Sequence, residues 1–265
     1  VSALKGGLHV MVEKPMAISV KEAKKMVYSS RKYDVKLCVV HQNLCNPAVI
    51  RTRRLVEDGV IGDLLNVDDR TFERKDSELC SNKNQWCPSA PRRIFHEILP
   101  HPIYLLQSFL KEAKPVHVLA KKLGDIEWMK KDELMVSVGA KNGLGSIGVS
   151  CNSLVHGDTL DILGTEMALR ADIWGRTVIT YEPHTKSPVS VGKSNLHLSL
   201  QLFKVLGSTA STLLKAVNGL VRIRAHYSFI SKFIDSICNN TKPPTTAEDG
   251  LETVKFNETV CKQID

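Results

Sequence analysis

The chain has 265 residues, is 43% hydrophobic, and carries 36 basic against 28 acidic side chains, a formal charge of +8. That content can bury one substantial core or two smaller ones, which excludes a disordered or fibrous chain. The basic residues are scattered and aromatics are only 6%, which argues against a nucleic-acid-binding protein, and seven cysteines with no C-x-x-C pair argue against a disulfide framework and against a metal site.

The opening "VSALKGG" reads as the end of a helix closing on glycine, and "LHVMVEKP" as a short buried strand stopped by Pro15. Next, "SVKEAKKMVYSSRKYD" has an amphipathic helical period, with Ser19 as N-cap and Glu22 at the capping-box position. "VKLCVVHQ" is a second buried strand. A helix then starts near Pro47 and ends at Gly59 or Gly62, leading into the strand-like "DLLNVDDRTFER". This βαβ rhythm predicts a parallel sheet with covering helices.

From about Leu64 the rhythm changes. "PVHVLAKKL", "LMVSVGAK", "LGSIGVSCNS", "TLDILGTE", "MALRADIWG" and "TVITYEP" are short strand candidates spaced as in an antiparallel sheet. Within them, Gly143, Gly145 and Gly148 spell G-x-G-x-x-G, the spacing of a dinucleotide-binding loop. Such a loop requires a helix behind it to face the pyrophosphate, and here strand follows strand. The reading is a hairpin turning at Asn142-Gly143. The stretch Leu198 to Arg224 is amphipathic, and core or lid packing is preferred over a membrane-surface or subunit contact. Two helices, "AHYSFISKFIDSICNN" and "AEDGLETVKFNETVCKQI", close the chain around the breaker "TKPPTT".

The blocks "ALKGGLHVMVEKPMAISVKEA", "NPAVIRTRRLVEDGVIGDL", "ILGTEMALRADIWG" and "HYSFISKFIDSICNNTKPPTTAEDGLETVK" resemble successive segments of the Gfo/Idh/MocA oxidoreductases, along the whole chain. The resemblance implies an α/β plus α+β fold: the C-terminal part of a Rossmann parallel sheet over residues 1–62, then a domain with a large, mainly antiparallel sheet covered by helices over 63–265. The last helix is expected to pack back on the first unit. In the family the glycine loop lies upstream of the E-K-P strand, so the sequence reads as a member lacking the N-terminal part of its Rossmann domain, and these 265 residues alone are expected to be inactive. NAD or NADP is the implied cofactor.

The lysine of E-K-P sits beside nicotinamide and substrate in the family, which makes Lys14 the first catalytic candidate, with Glu13, Pro15 and Gln42 as cofactor contacts. From its position alone, Lys14 is a solvated strand-end lysine. Family members carry D-x-x-x-H as proton donor or acceptor and its support. In "FHEILPHPIYLL" the spacing is kept by Glu97 and His101, with glutamate in place of aspartate. Histidine suits the task because its ordinary pKa of about 6.5 allows exchange near neutral pH. The prolines predict a helix starting at about Leu99 or Pro100, with Glu97 in extended chain before it. His96 is the adjacent competitor.

Two further departures, Tyr104 where many members have aspartate and Leu44 where many have arginine, imply different substrate contacts. Asn43, Tyr104, Arg92 and Arg93 are the substrate candidates, the arginine pair suiting an anionic or nucleotide-linked sugar. The expected activity is NAD(P)-dependent oxidation or reduction at a hydroxyl or keto group of a sugar, cyclitol or nucleotide sugar. The alternatives are a lyase or isomerase using NAD transiently and a non-catalytic sensor or assembly subunit. With no apolar run of the roughly 20 residues that span a bilayer and no secretory pattern at the opening, the expectation is a cytoplasmic homo-oligomer, joined through its sheet domain, with no membrane or nucleic-acid partner.

Overall fold

The computed structural model describes residues 1–83, 94–217 and 224–264. Its first unit follows the sequence closely. Helix α1 (Ser2–Lys5) leads to strand β1 (Val10–Val12), which pairs in parallel with β2 (Leu37–Val39), Met11 opposite Cys38. Between them runs α2 (Val20–Lys32), started by Ser19, whose hydroxyl accepts the Glu22 N–H at 3.3 Å. A short 3₁₀ turn (Gln42–Cys45) follows β2. Asn46 then caps α3 (Pro47–Glu57) by accepting the Ala48 N–H at 2.9 Å.

The second unit is a seven-stranded sheet in the order β4-β5-β6-β3-β7-β8-β9. Its strands are β3 (Leu64–Arg74), β4 (Lys114–Lys121), β5 (Glu133–Ala140), β6 (Gly143–Ser153), β7 (Gly157–Gly164), β8 (Ala168–Asp172) and β9 (Thr177–Tyr181). The long β3 occupies the centre. It runs antiparallel to β7 and parallel to β6, so the sheet is mixed where spacing alone predicted antiparallel pairing. The helices α4 (Glu78–Ser81), α5 (Ile94–Ile98) and α6 (Pro100–Gln107) lie in the connection that carries the chain from β3 to β4. Alternation along the strands puts Val67, Ile147, Leu160 and Ile162 on the covered face with Leu105 and Leu106 of α6.

The glycine-rich stretch is a β5–β6 hairpin, as expected, with its two-residue turn one position earlier, at Lys141 and Asn142; Ala140 stands opposite Gly143. Gly145 serves packing. A Cβ on Gly145 would lie 2.8 Å from the Val67 carbonyl and 2.9 Å from Leu110, so β6 can approach β3 and α6 only without a side chain there.

Three helices complete the molecule: α7 (Pro188–Val217), α8 (Arg224–Cys238) and α9 (Ala247–Ile264). Along α9, Val254 joins Leu4, Met16 and Val39 in one core, while Phe256 and Val260 join the core of the large sheet. One helix thus holds the two units together. Two expectations are corrected. On α7, Leu200, Leu202 and Phe203 are exposed among the described side chains, so this part of the amphipathic stretch does not pack into a core. Glu97 lies in the helical turn α5 and not in extended chain, because a residue at Leu99 with helical backbone joins α5 to α6.

Candidate functional site

Lys14 follows β1 directly, at the carboxyl end of the parallel pair, the end at which open α/β sheets take ligands. The Lys14–Pro15 peptide bond is cis. The Lys14 ammonium donates to the Glu97 carbonyl oxygen at 3.0 Å and forms an ion pair with Glu97 Oε1, and the two side chains are only 10% and 21% exposed. An ammonium has three donors, so one remains for a ligand oxygen. Glu97 Oε2 is buried and has no hydrogen-bond partner.

Lys14, Glu97 and His101 line one cavity of about 340 Å³ with Gln42 and Asn43 of the 3₁₀ turn. The expected trio is therefore brought together from three segments. His101 is half-buried at the start of α6, and its Nδ1 lies 2.9 Å from the Tyr104 hydroxyl. That hydroxyl also accepts the Asn43 N–H at 3.3 Å, and the Tyr104 ring stacks on His41 with centroids 4.2 Å apart. Burial first, then the positive charge of Lys14, pushes the His101 imidazole well below the usual histidine range. The ring is neutral at physiological pH. Burial likewise pushes His41 down to about 3 and the Tyr104 hydroxyl well above 10.

The Tyr104–His101 pair has two proton arrangements. With the tyrosine donating to Nδ1, the other ring nitrogen carries a proton and is a hydrogen-bond donor; with Nδ1–H donating to the tyrosine oxygen, that nitrogen is free to accept a proton as a base and to return it afterwards. Lys14, its charge balanced by Glu97, is placed to stabilise negative charge on an oxygen between itself and His101.

The other expected residues divide. Gln42 faces the cavity with its Oε1 buried and unpartnered, and Asn43 lines the same wall. Tyr104 does not line this cavity. It is 3% exposed and stands behind His101, because its hydroxyl is taken up by His101 and Asn43. Glu13, just past the end of β1, is exposed and does not line the cavity, and Pro15 borders a separate shallow depression with Met16 and Ala17. His96 is buried, with its carbonyl accepting from Asn257, and it does not line the cavity. Arg92 and Arg93 lie outside the described residues.

The lining residues contributed by the large sheet escaped the sequence reading. Asp158 and His156 at the start of β7, Trp174 and Arg176 in the β8–β9 turn, and Glu73 at the end of β3 all line the cavity. Trp174 is 64% exposed and meets His156 edge-on at 4.4 Å. The left-handed backbone of Arg176 (φ 54°) marks the turn. The polar run "VHGD" entering a strand, and tryptophan beside arginine in "IWGRT", were the only local signals.

Residues 1–41 match the model of an oxidoreductase family with an NAD-binding Rossmann fold. Oxidoreductase P35 of Formosa agariphila is 23% identical over 181 residues, covering 66% of this chain and 56% of that protein. D-xylose dehydrogenase of Paenarthrobacter nicotinovorans is 34% identical over 65 residues, 24% of this chain and 17% of that protein. The chain thus spans about half, or less, of the curated relatives it matches. The WlbA dehydrogenase of Bordetella pertussis, solved with NADH and UDP-GlcNAcA, superposes with a TM-score of 0.73 at 18% identity, covering 99% of this chain and 72% of that one. At that identity the likeness establishes the fold.

Proposed function

We propose, because residues 1–41 match the Gfo/Idh/MocA oxidoreductase family model, that the protein is an NAD(P)-dependent oxidoreductase acting on a hydroxyl or keto group of a sugar, cyclitol or nucleotide sugar. The observation that carries the reading is the convergence of Lys14, Glu97 and His101 on one cavity. On this reading residues 1–62 belong to the nucleotide-binding domain, and residues 63–265 form the unit that binds substrate and joins copies of the chain. The face of the large sheet that no described helix covers carries exposed Met135, Leu144 and Leu163, which supports the homo-oligomer.

The cavity suits a nicotinamide group. The buried, unpartnered Gln42 Oε1 needs a donor, which a carboxamide N–H provides, and Lys14 and Asn43 flank it. When bound, the dinucleotide supplies or accepts the hydride. The chain's own residues do the rest. Lys14 orients the reacting oxygen, Glu97 holds Lys14 in place, and His101 takes or returns the hydroxyl proton through the ring nitrogen that Tyr104 does not engage.

Titration of NAD and NADP calorimetrically into the full-length protein tests the cofactor, followed by turnover assays of the same protein on D-xylose, myo-inositol and UDP-N-acetylglucosamine. Micromolar binding of one dinucleotide and its reduction by at least one panel member are expected. Failure of both dinucleotides to bind overturns the reading.

A further inference from the structure

Two acids on the covered face of the large sheet take no part in the chemistry above. Asp69 of β3 is completely buried and Asp158 of β7 is 5% exposed. The strand register sets Asp158 opposite Thr71 and Asp69 opposite Leu160, so the two acids are diagonal neighbours on one face. Each has an oxygen without a hydrogen-bond partner, Oδ2 of Asp69 and Oδ1 of Asp158. Asp69 is closed in and receives the Thr71 hydroxyl at 3.2 Å, whereas Asp158 lines the cavity that Lys14 and His101 also line. A buried carboxyl that opens only onto a ligand cavity and lacks a donor is an acceptor awaiting one.

We propose that Asp158 is a substrate-contacting, specificity-determining residue that accepts hydrogen bonds from the ring hydroxyls of a sugar whose apolar face rests on Trp174. The proposal rests on the oxidoreductase reading for the chemistry at Lys14 and His101, but not for the sugar contact itself. An exposed indole beside a buried acceptor is the pairing that a pyranose or cyclitol presents, with an apolar C–H face and a rim of donors.

A consequence distinguishes this wall from an ordinary polar lining. Burial, then the charge of Asp172, raises the Asp158 carboxyl to about 7, and burial with the charge of Asp158 raises Asp69 well above the usual range. One carboxyl of the pair is therefore protonated when the other ionises. The other charged or titratable groups facing this region among the described residues are Glu73, His156, Arg176, Lys14, Glu97, His101 and His226, which line the cavity, and Tyr104 behind it. Ring hydroxyls donating to Asp158 stabilise its anion, so sugar binding expels the Asp158 proton. Affinity then rises with pH through about 7.

The test is calorimetric titration of D-glucose, D-xylose and myo-inositol, with and without NAD, in buffers of different ionisation enthalpy at about pH 6 and about pH 8. Up to about one proton released per sugar near pH 6, and up to about tenfold tighter binding near pH 8, are expected. Asp158→Asn is expected to bind weakly at both values with no proton release. Asp172→Asn is expected to keep the high-pH affinity and move the pH dependence downward. Proton-neutral, pH-independent binding by the wild type overturns the proposal, as does an unchanged pH dependence in Asp158→Asn or no binding of any of the three. Sugar binding with the expected profile but no hydride transfer to NAD or NADP sinks the oxidoreductase reading and leaves this one standing.

Discussion

Lys14 and His101 have different tasks on the proposed reading, and substitutions separate them. His101→Asn removes the proton acceptor and is expected to lower kcat by about 100-fold or more while changing dinucleotide affinity less than about threefold. Lys14→Met removes charge from the reacting oxygen with a similar loss, and also leaves Glu97 half-buried without its cation. Tyr104 stands behind His101 and does not line the cavity. Tyr104→Phe is expected to lower kcat about tenfold at constant KM, because His101 loses the partner that fixes its ring and tautomer. Steady-state kinetics with the preferred substrate checks all three, and a Tyr104→Phe effect confined to KM would place that residue at the substrate instead. Lys14, Glu97 and His101 were legible because each sits in a short motif. Asp158 and Trp174 were not, since they reach the cavity only through the pairing of β3, β7 and β8, which no local pattern encodes.

Strand positions were legible from alternating hydrophobicity, but the parallel pairing of β3 with β6 was not. It depends on a crossover through α4, α5 and α6 that brings distant residues together, Val67 beside Gly145. The same pairing explains why a glycine pattern appears outside any nucleotide loop. Gly145→Ala presses a methyl group onto the Val67 carbonyl and Leu110, and is expected to cost about 1–3 kcal/mol of stability. Gly148→Ala meets its nearest neighbour at 3.8 Å, ordinary contact, and is expected to stay within about 0.5 kcal/mol of wild type. Denaturant unfolding of the two variants compares them directly, and equal losses would remove the close approach as the reason for the glycine. Helix boundaries show the corresponding weakness. The prolines predicted the start of α6 at Pro100, yet gave no sign that Glu97 is already helical in α5.

At the scale of the molecule, the groups buried between the two units set opposing pH limbs of stability. His41, buried in the native state with its pKa lowered to about 3, binds a proton more readily when unfolded, so its contribution is lost as pH falls from the ordinary histidine value toward 3. Asp158 acts in the other direction. Its native pKa of about 7 lies above the unfolded value of 3.8, so the folded state holds the extra proton between them and stability falls as pH rises through that window. His41→Phe keeps a ring stacked on Tyr104 and removes the acid limb. Asp158→Asn keeps the side-chain shape and removes the limb toward neutral pH. Relative to wild type, His41→Phe is expected to gain stability at about pH 5 over its value at about pH 8, and Asp158→Asn the reverse, each difference on the order of 1–3 kcal/mol. Urea unfolding at the two pH values measures both. If the Asp158→Asn difference has the same sign as that of His41→Phe, the Asp158 carboxylate is not the destabilising charge, and the buried pair is instead held by donors that ionisation strengthens.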